Sequence, residues 1–416
     1  MAAPFSFQHL AEFLPDSSQD LLSTIPSAPG IFALSGQDPA AQPYLSHATD
    51  LRRRLRRLLA PADSLTADGQ PSPSRRLNLR SRVRFIQWTP TGSEFESHLL
   101  LYHAARHAFG PELARRRLRL HPPYMLRITL SGTHPRVYST NRLTRKALPE
   151  LFGPFPSRAA AERYGDAVLD LFQLRRCTED LQPYPDHPGC VYGEMGKCLM
   201  PCKQGHPSAC TPQQYAQEAQ RVFAFFTTRG DSLLSELAAQ RDAASQAMDF
   251  ESAAALHKQW EKVRSVAMLA DPLVGPIDQL RLLVLQQALP PQAEIIDQRD
   301  SGEANEPQDS HPSTHAAVFL FANGRWAGPQ PLSTPDLLST PDHPSAQEHQ
   351  AAAGSLIAHP SAEISALGDA LALLRRWYYR SEKHRSGEPF LPNPDGSWPI
   401  RRIRNAASRL LSAPRC

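Results

Sequence analysis

Apolar positions recur along the chain with two periods, and each period predicts a different element. In LRRRLRRLL, Leu51, Leu55, Leu58 and Leu59 fall on one face of a helix and arginines fill the rest. Asp50 precedes that helix and can accept a hydrogen bond as its cap. SAPGIFALSG and AQPYLSHA read as two short strands around a turn, and RVRFIQW alternates as a strand does. SEFESHLLLYHAARHAF reads as a second helix, with Ser93 and Glu96 at capping-box spacing. YMLRITL and RVYSTN are further strands, which together predict an α+β unit of about 140 residues. Residues 1–25 read as a short helical lead-in and residues 61–78 as a loop.

From Phe152 the pattern changes. FGPFPS is a turn, and AAAERYGDAVLDLFQLRRC is a helix running into a cysteine. Three helices follow, over 213–229, 231–247 and 250–268, broken at Gly230 and at Met248-Asp249. Ala253, Leu256, Trp260 and Val263 share one face of the last. DQLRLLVLQQ and HAAVFLFANGRWAGPQPL read as strands, the second interrupted by a glycine turn. The polar stretch 297–314 is expected to lack order, and 333–350 is a loop rich in Pro, Ser and His. DALALLRRWYYRSE is a helix whose basic and aromatic residues either touch a nucleic-acid strand or pack locally, the second being the commoner use. The fold class is α+β throughout.

Composition sharpens this. Pro makes up 40 of 416 residues, about twice the ~5% norm, so elements are short and connectors many. No stretch approaches the ~18 apolar residues of a membrane span. The N-terminus, MAAPFSFQHLAEFLPD, has no basic region before an apolar run, so a secretory signal is not expected; the expected location is cytoplasmic, with no membrane partner. The net charge of +4 is uneven: only 6 of the 45 basic residues are Lys. Residues 1–50 carry no Lys or Arg, whereas residues 51–150 carry 20 basic residues against six acids. Guanidinium groups fork onto phosphate oxygens, so this Arg-rich block suits nucleic acid. A solvated basic surface is the plainer alternative.

Four of the six cysteines, Cys177, Cys190, Cys198 and Cys202, lie within 26 residues at spacing C-x12-C-x7-C-x3-C. Cys210 and Cys416 stand apart. Nothing points to an oxidising compartment, so a metal centre is favoured over disulfides. Zinc sites use paired C-x2-4-C knuckles, and only Cys198 and Cys202 are that close. A four-cysteine iron–sulfur site tolerates wider spacing. Iron–sulfur, zinc and free structural or redox thiols all remain open on spacing alone.

Three segments together resemble the UvrC excinuclease family and its shorter Cho-like relatives. APGIFAL with PYLSHATDLRRRLRRLL resembles the opening of a GIY-YIG nuclease. FGPFPS, LRRC and GCVYGEMGKCLMPC resemble the family's cysteine region. LLSELAAQRDAASQAMDFESAAALHKQWEKVRSVA resembles the UVR motif. The similarity covers roughly residues 28–270. It divides the chain into a GIY-YIG-like domain over 1–145, a cysteine region over 146–212, a helical UVR region over 213–270 and an unassigned α+β region over 271–416.

The resemblance implies a [4Fe–4S] cluster on Cys177, Cys190, Cys198 and Cys202. It implies docking on UvrB, the partner excinuclease protein, through Phe250, Glu251, Ala253, Ala254 and Leu256. It implies DNA as a partner, for which the Arg-rich block offers Arg52, Arg53, Arg56, Arg57, Arg115, Arg116 and Arg117. For a nuclease centre it would use Tyr44 and Arg54, with His47 where the family has Lys. Phe32 stands at the first Tyr position, Leu101 at the metal-binding Glu and Met125 at the Asn. Leu cannot hold a metal and Phe cannot pass a proton, so a degenerate nuclease is expected. Glu94 lies seven residues before Leu101, about 10 Å along a helix, and is not expected to replace it. His98 faces the same side as Leu101, which allows a substitute site of Tyr44, His47, Arg54 and His98, though two His without a carboxylate suit Mg²⁺ poorly. Were the centre active, Mg²⁺ or Mn²⁺ would be its ion. After residue 330 the family's second nuclease domain and helix–hairpin–helix motifs are not evident. The function implied is a DNA-binding repair accessory protein; an active endonuclease and a pure protein–protein adaptor are the alternatives.

Overall fold

A computed structural model describes residues 5–15, 18–38, 40–60, 77–207, 209–289, 315–332 and 363–412. The loop expected at 61–78 lies almost wholly outside them, as do 297–314, 333–350 and Cys416. No described helix is long and apolar enough to cross a membrane.

The first sheet contains β1 (His9–Glu12), β2 (Gly30–Ser35), β3 (Tyr44–Ala48) and β4 (Phe85–Pro90), ordered β1-β4-β2-β3 and antiparallel throughout. Helix α1 (Ser18–Thr24) precedes β2, α2 (Leu51–Leu58) follows β3, and α3 (Glu94–Phe109) and α4 (Pro111–Arg117) follow β4. Part of the expected helical lead-in is therefore an edge strand, because β4 offers β1 its unpaired backbone groups. Side chains alternate across the pleat. Phe32, Leu34, Tyr44 and Ala48 meet the buried leucines of α2 on one face. Ile31 and Leu45 meet Leu101 and Ala104 of α3 on the other. Asp50 caps α2 by accepting from the Arg53 N–H at 2.8 Å. Gly30 lets β2 start against α2: a Cβ there would lie 2.5 Å from the Thr89 carbonyl and 2.6 Å from Leu51. Ser93 caps α3, but Glu96 reaches the Gly92 N–H at 2.9 Å and leaves the capping box half made.

A second sheet, ordered β6-β5-β7-β8, joins β5 (Tyr124–Ile128), β6 (Val137–Thr140), β7 (Leu151–Phe155) and β8 (Gly275–Pro276). Two expectations change here. FGPF is a strand rather than a turn, since β5 and β8 flank it. Strand β5 pairs with that strand on one side and with β6 on the other, so neither belongs to the first sheet. Helices α5 (Arg158–Leu169), α6 (Val191–Glu194), α7 (Pro212–Thr228), α8 (Asp231–Gln246) and α9 (Phe250–Ala267) follow β7. The core packs Leu126, Phe152 and Tyr164 on Phe225, Phe226 and Leu237. Val263 is buried, and Ala253, Leu256 and Trp260 are half-buried on the same face of α9.

The third sheet, ordered β11-β10-β9-β12, contains β9 (Leu282–Ala288), β10 (His315–Ala322), β11 (Arg325–Leu332) and β12 (Glu388–Phe390). Helix α10 (Ile364–Tyr378) covers Val284, Ala317, Phe319 and Phe321. Helix α11 (Ile400–Ser412) covers Leu285 and Ala316 on the other face. Helix α10 thus packs locally, as the commoner reading expects.

Helix α3 also contributes to this last core. Phe95 sits about 5 Å from the ring centroids of Phe319, Trp326 and Trp377. Asp369 of α10, 2% exposed, accepts from Arg115 of α4 at 2.6 and 3.2 Å and from the Tyr102 hydroxyl at 3.0 Å. Arg115, expected on DNA, is therefore held in an ion pair. Removing a carboxylate that accepts charged hydrogen bonds costs about 3 kcal/mol. Asp369→Ala should accordingly move the urea midpoint down, and a curve overlaying the parent's would contradict the assignment.

Candidate functional site

The cysteine segment has little regular structure of its own. Cys177 follows the buried Arg175, Cys190 precedes α6, and Cys202 lies in a single 3₁₀ turn over Pro201–Lys203. Proline prevents much more. The segment hangs on side chains anchored elsewhere. The Tyr215 hydroxyl of α7 donates to the Pro135 carbonyl at 2.7 Å and accepts from the Arg175 N–H at 3.1 Å. The Arg175 guanidinium donates to the His134 and Glu179 carbonyls, and to Cys177 Sγ at 3.4 Å. The Met200 N–H donates to Cys198 Sγ at 3.4 Å, with Met200 left-handed at φ 51°. Gly193 makes room for that turn, because a Cβ there would fall 2.5 Å from the Met200 side chain.

Cys198 and Cys202 are buried, Cys177 and Cys190 half-buried. Burial pushes the Cys198 thiol up to about 12, and the three neighbouring sulfurs add to the rise. Burial raises Cys202 as well, with Cys190 and Cys177 contributing. Four thiolates this close repel one another and desolvate poorly; a bound cation is what makes the set favourable as anions. Among the described residues no three of these sulfurs lie mutually within 4.8 Å. Zn–S bonds of about 2.3 Å would place tetrahedral sulfurs about 3.8 Å apart. Cys210, remote in the sequence pattern, is near enough for Cys202 to raise its thiol, though burial contributes more. It lines a cleft of about 830 Å³ with Tyr184, Gln204 and Tyr215. Chain spacing carried no sign of that proximity.

The positions expected to form a nuclease centre are divided by the sheet. Phe32, Leu101 and Met125 are all core residues. Tyr44 lies on the α2 face against Phe32, with ring centroids 6.2 Å apart. His47, three residues on, lies on the α3 face, its ring centroid 4.4 Å from that of His98. Tyr44 and His47 therefore do not share a site. Arg54 acts on His47 only as the weakest of the charges around it. Glu94 joins His47 and His98: one ligand atom from each lies within 4.8 Å of the others. The missed signal was the i, i+4 spacing of Glu94 and His98. Arg380 Nη1 contacts Glu94 Oε1 at 3.0 Å.

The arginines expected on DNA fall into two groups. Arg53, Arg56, Arg57 and Arg116 are exposed. Arg52 donates to the Ile25 carbonyl at 2.6 Å, and the exposed Arg117 lies over the Phe109 ring and contacts Gln42. On the helical hairpin, Phe250 is 67% and Met248 78% exposed. Glu251 and Ala254 are exposed there too.

Three antiparallel sheets, a cysteine-bearing segment and a helical hairpin with an exposed tip define an α+β protein. Residues 124–225 match the family model described as the UvrC/Cho excinuclease, middle domain. Over those residues the chain is similar to UvrC and Cho proteins. Over 254 residues it is 31% identical to UvrABC system protein C of Shigella dysenteriae, covering 59% of this chain and 40% of that protein. The same-named protein of Actinobacillus succinogenes is 28% identical over 249 residues, 60% of this chain and 38% of its own length. The chain thus spans about two fifths of the curated relatives it matches. No solved structure matches.

Proposed function

We propose that this chain is a DNA-binding accessory protein of nucleotide excision repair whose nuclease centre is degenerate. The observation that carries this is the fate of three positions in a UvrC/Cho-like chain. Phe32, Leu101 and Met125, where a nuclease of the resembled type places Tyr, Glu and Asn, are core residues. Arg53, Arg56, Arg57 and Arg116 meanwhile keep an exposed cationic surface. Helices α8 and α9 dock on UvrB, with exposed Phe250 and Met248 at the hairpin tip and Ala253 and Ala254 allowing close approach. Cys177, Cys190, Cys198 and Cys202 hold a [4Fe–4S] cluster; the three other sulfurs close enough to act on Cys198, and the Arg175 guanidinium donating to Cys177 Sγ, support that reading. Bound there, it supplies a cross-link for a segment with little core of its own.

The test is a gel with nicked, bubble and lesion-bearing duplexes, Mn²⁺, and UvrB present or absent, on protein purified without oxygen. A shift without cleavage is expected. Binding should weaken steeply with salt, the log–log slope losing about 0.9 for each phosphate contact removed. The combined Arg53→Ala, Arg56→Ala and Arg57→Ala variant should therefore show a shallower slope. Salt-insensitive binding to UvrB alone would favour an adaptor without a DNA role. Metal-dependent nicking lost in Arg54→Ala would favour an active endonuclease.

A further inference from the structure

We propose that His47, Glu94 and His98 form a site for one divalent transition-metal ion of the zinc type, with a coordination position left open. This goes beyond the repair reading and does not depend on it.

Two elements with no local reason to meet build the site. The pleat of β3 turns His47 toward α3. The i, i+4 spacing at the start of α3 puts Glu94 and His98 on one face. One ligand atom from each residue lies within 4.8 Å of the other two, and all three residues are half-buried. Zinc bonds of about 2.0–2.2 Å to nitrogen and oxygen need donors somewhat closer than that, a contraction within reach of side-chain rotation. Two imidazoles and one carboxylate are the donor set of open zinc sites. Nitrogen donors also disfavour Mg²⁺ and Ca²⁺, which take oxygen.

The tautomer is arranged for it. His98 Nδ1 lies 2.8 Å from the Glu94 carbonyl, so the proton sits there and donates. That leaves the Nε2 lone pair, 3.9 Å from Glu94 Oε1, free to bind.

Arg380 on Glu94 Oε1 opposes the ion, but a carboxylate has about four lone-pair sites and can serve both. Arg376 and Arg380 line the small cavity against His98. Their positive charge favours an anionic oxygen, such as that of a phosphate ester, as the ligand at the open position.

The experiment is equilibrium dialysis of the full chain against Zn²⁺, with zinc counted per chain and its K-edge absorption recorded. The parent should carry one equivalent with nitrogen and oxygen neighbours at about 2.0–2.1 Å, distinct from thiolate sulfur at about 2.3 Å. His98→Gln and Glu94→Gln should each lose that equivalent while keeping the parent's circular dichroism. Cys198→Ser should retain it. Zinc with sulfur neighbours only, or equal zinc in the parent and both folded variants, would overturn the proposal.

Discussion

On the proposed iron–sulfur reading, Cys198→Ser is expected to remove the iron and its visible absorbance and to loosen the whole segment between Cys177 and Cys210. The expected loss of stability exceeds about 4 kcal/mol, a size reached when a structural metal is removed. The reason lies in the packing. The segment contributes two buried cysteines and Pro201 but no helix longer than the four residues of α6. Most of its backbone bonds close short turns; the Tyr184 N–H to the Cys202 carbonyl and the Leu199 N–H to the Gln173 carbonyl, both at 3.0 Å, reach further along the chain. Those two amides should exchange hydrogen much faster in the variant, while amides of α7 stay protected by Tyr215 and the Phe225–Phe226 core. Iron assay and exchange separate two failures. Zinc in place of iron would reject the iron–sulfur assignment but keep the staple. Unchanged exchange at Tyr184 and Leu199 would reject the staple itself.

Phe95→Ala should cost about 4 kcal/mol, in the range for emptying an aromatic site in a packed core. Phe95 is 3% exposed and meets three aromatic rings of the C-terminal unit. With Leu99 and Tyr102 it is one of the side chains by which α3, already committed to the first sheet through Leu101 and Ala104, also belongs to the third. The loss should therefore appear in α10, as faster exchange at Leu371 and Leu374, and spare the face of the first sheet that packs on α2. Phe95→Leu keeps most of the volume and should cost less than about 1.5 kcal/mol. If Phe95→Ala left the stability within about 1 kcal/mol of the parent's, below the range for such a site, the shared core would not be what joins the two units.

The elements whose reasons are local were legible in the sequence. Helix α2 follows from four leucines and the Asp50 cap. Helix α7 begins at Pro212, with Thr211 as its cap and Gln214 closing the capping box. The α8–α9 hairpin turns at Met248 and Asp249 as its sequence predicts. The turn between β10 and β11 falls at Asn323 and Gly324, both with positive φ. Each of these depends on contacts within a few residues, and a few residues are what a pattern displays.

The candidate sites were legible in part. Four cysteines in 26 residues announce a centre, but only folding brings Cys210 close to Cys202. His47 was visible as a replacement for Lys, and His98 as a neighbour of Leu101. Their meeting, with Glu94 as third member, depends on which face of β3 turns toward α3.

By itself the sequence determined the α+β class, the helices with a 3.6-residue stripe, the hairpin and the excess of arginine in residues 51–150. Only the tertiary structure decided that His9–Glu12 and FGPF are strands, that β5 and β6 belong to the second sheet, and that Arg115 is spoken for. The physical reason is range. A helix makes its hydrogen bonds four residues away, whereas an edge strand borrows them from a distant segment, and Arg115 finds its carboxylate 254 residues along the chain.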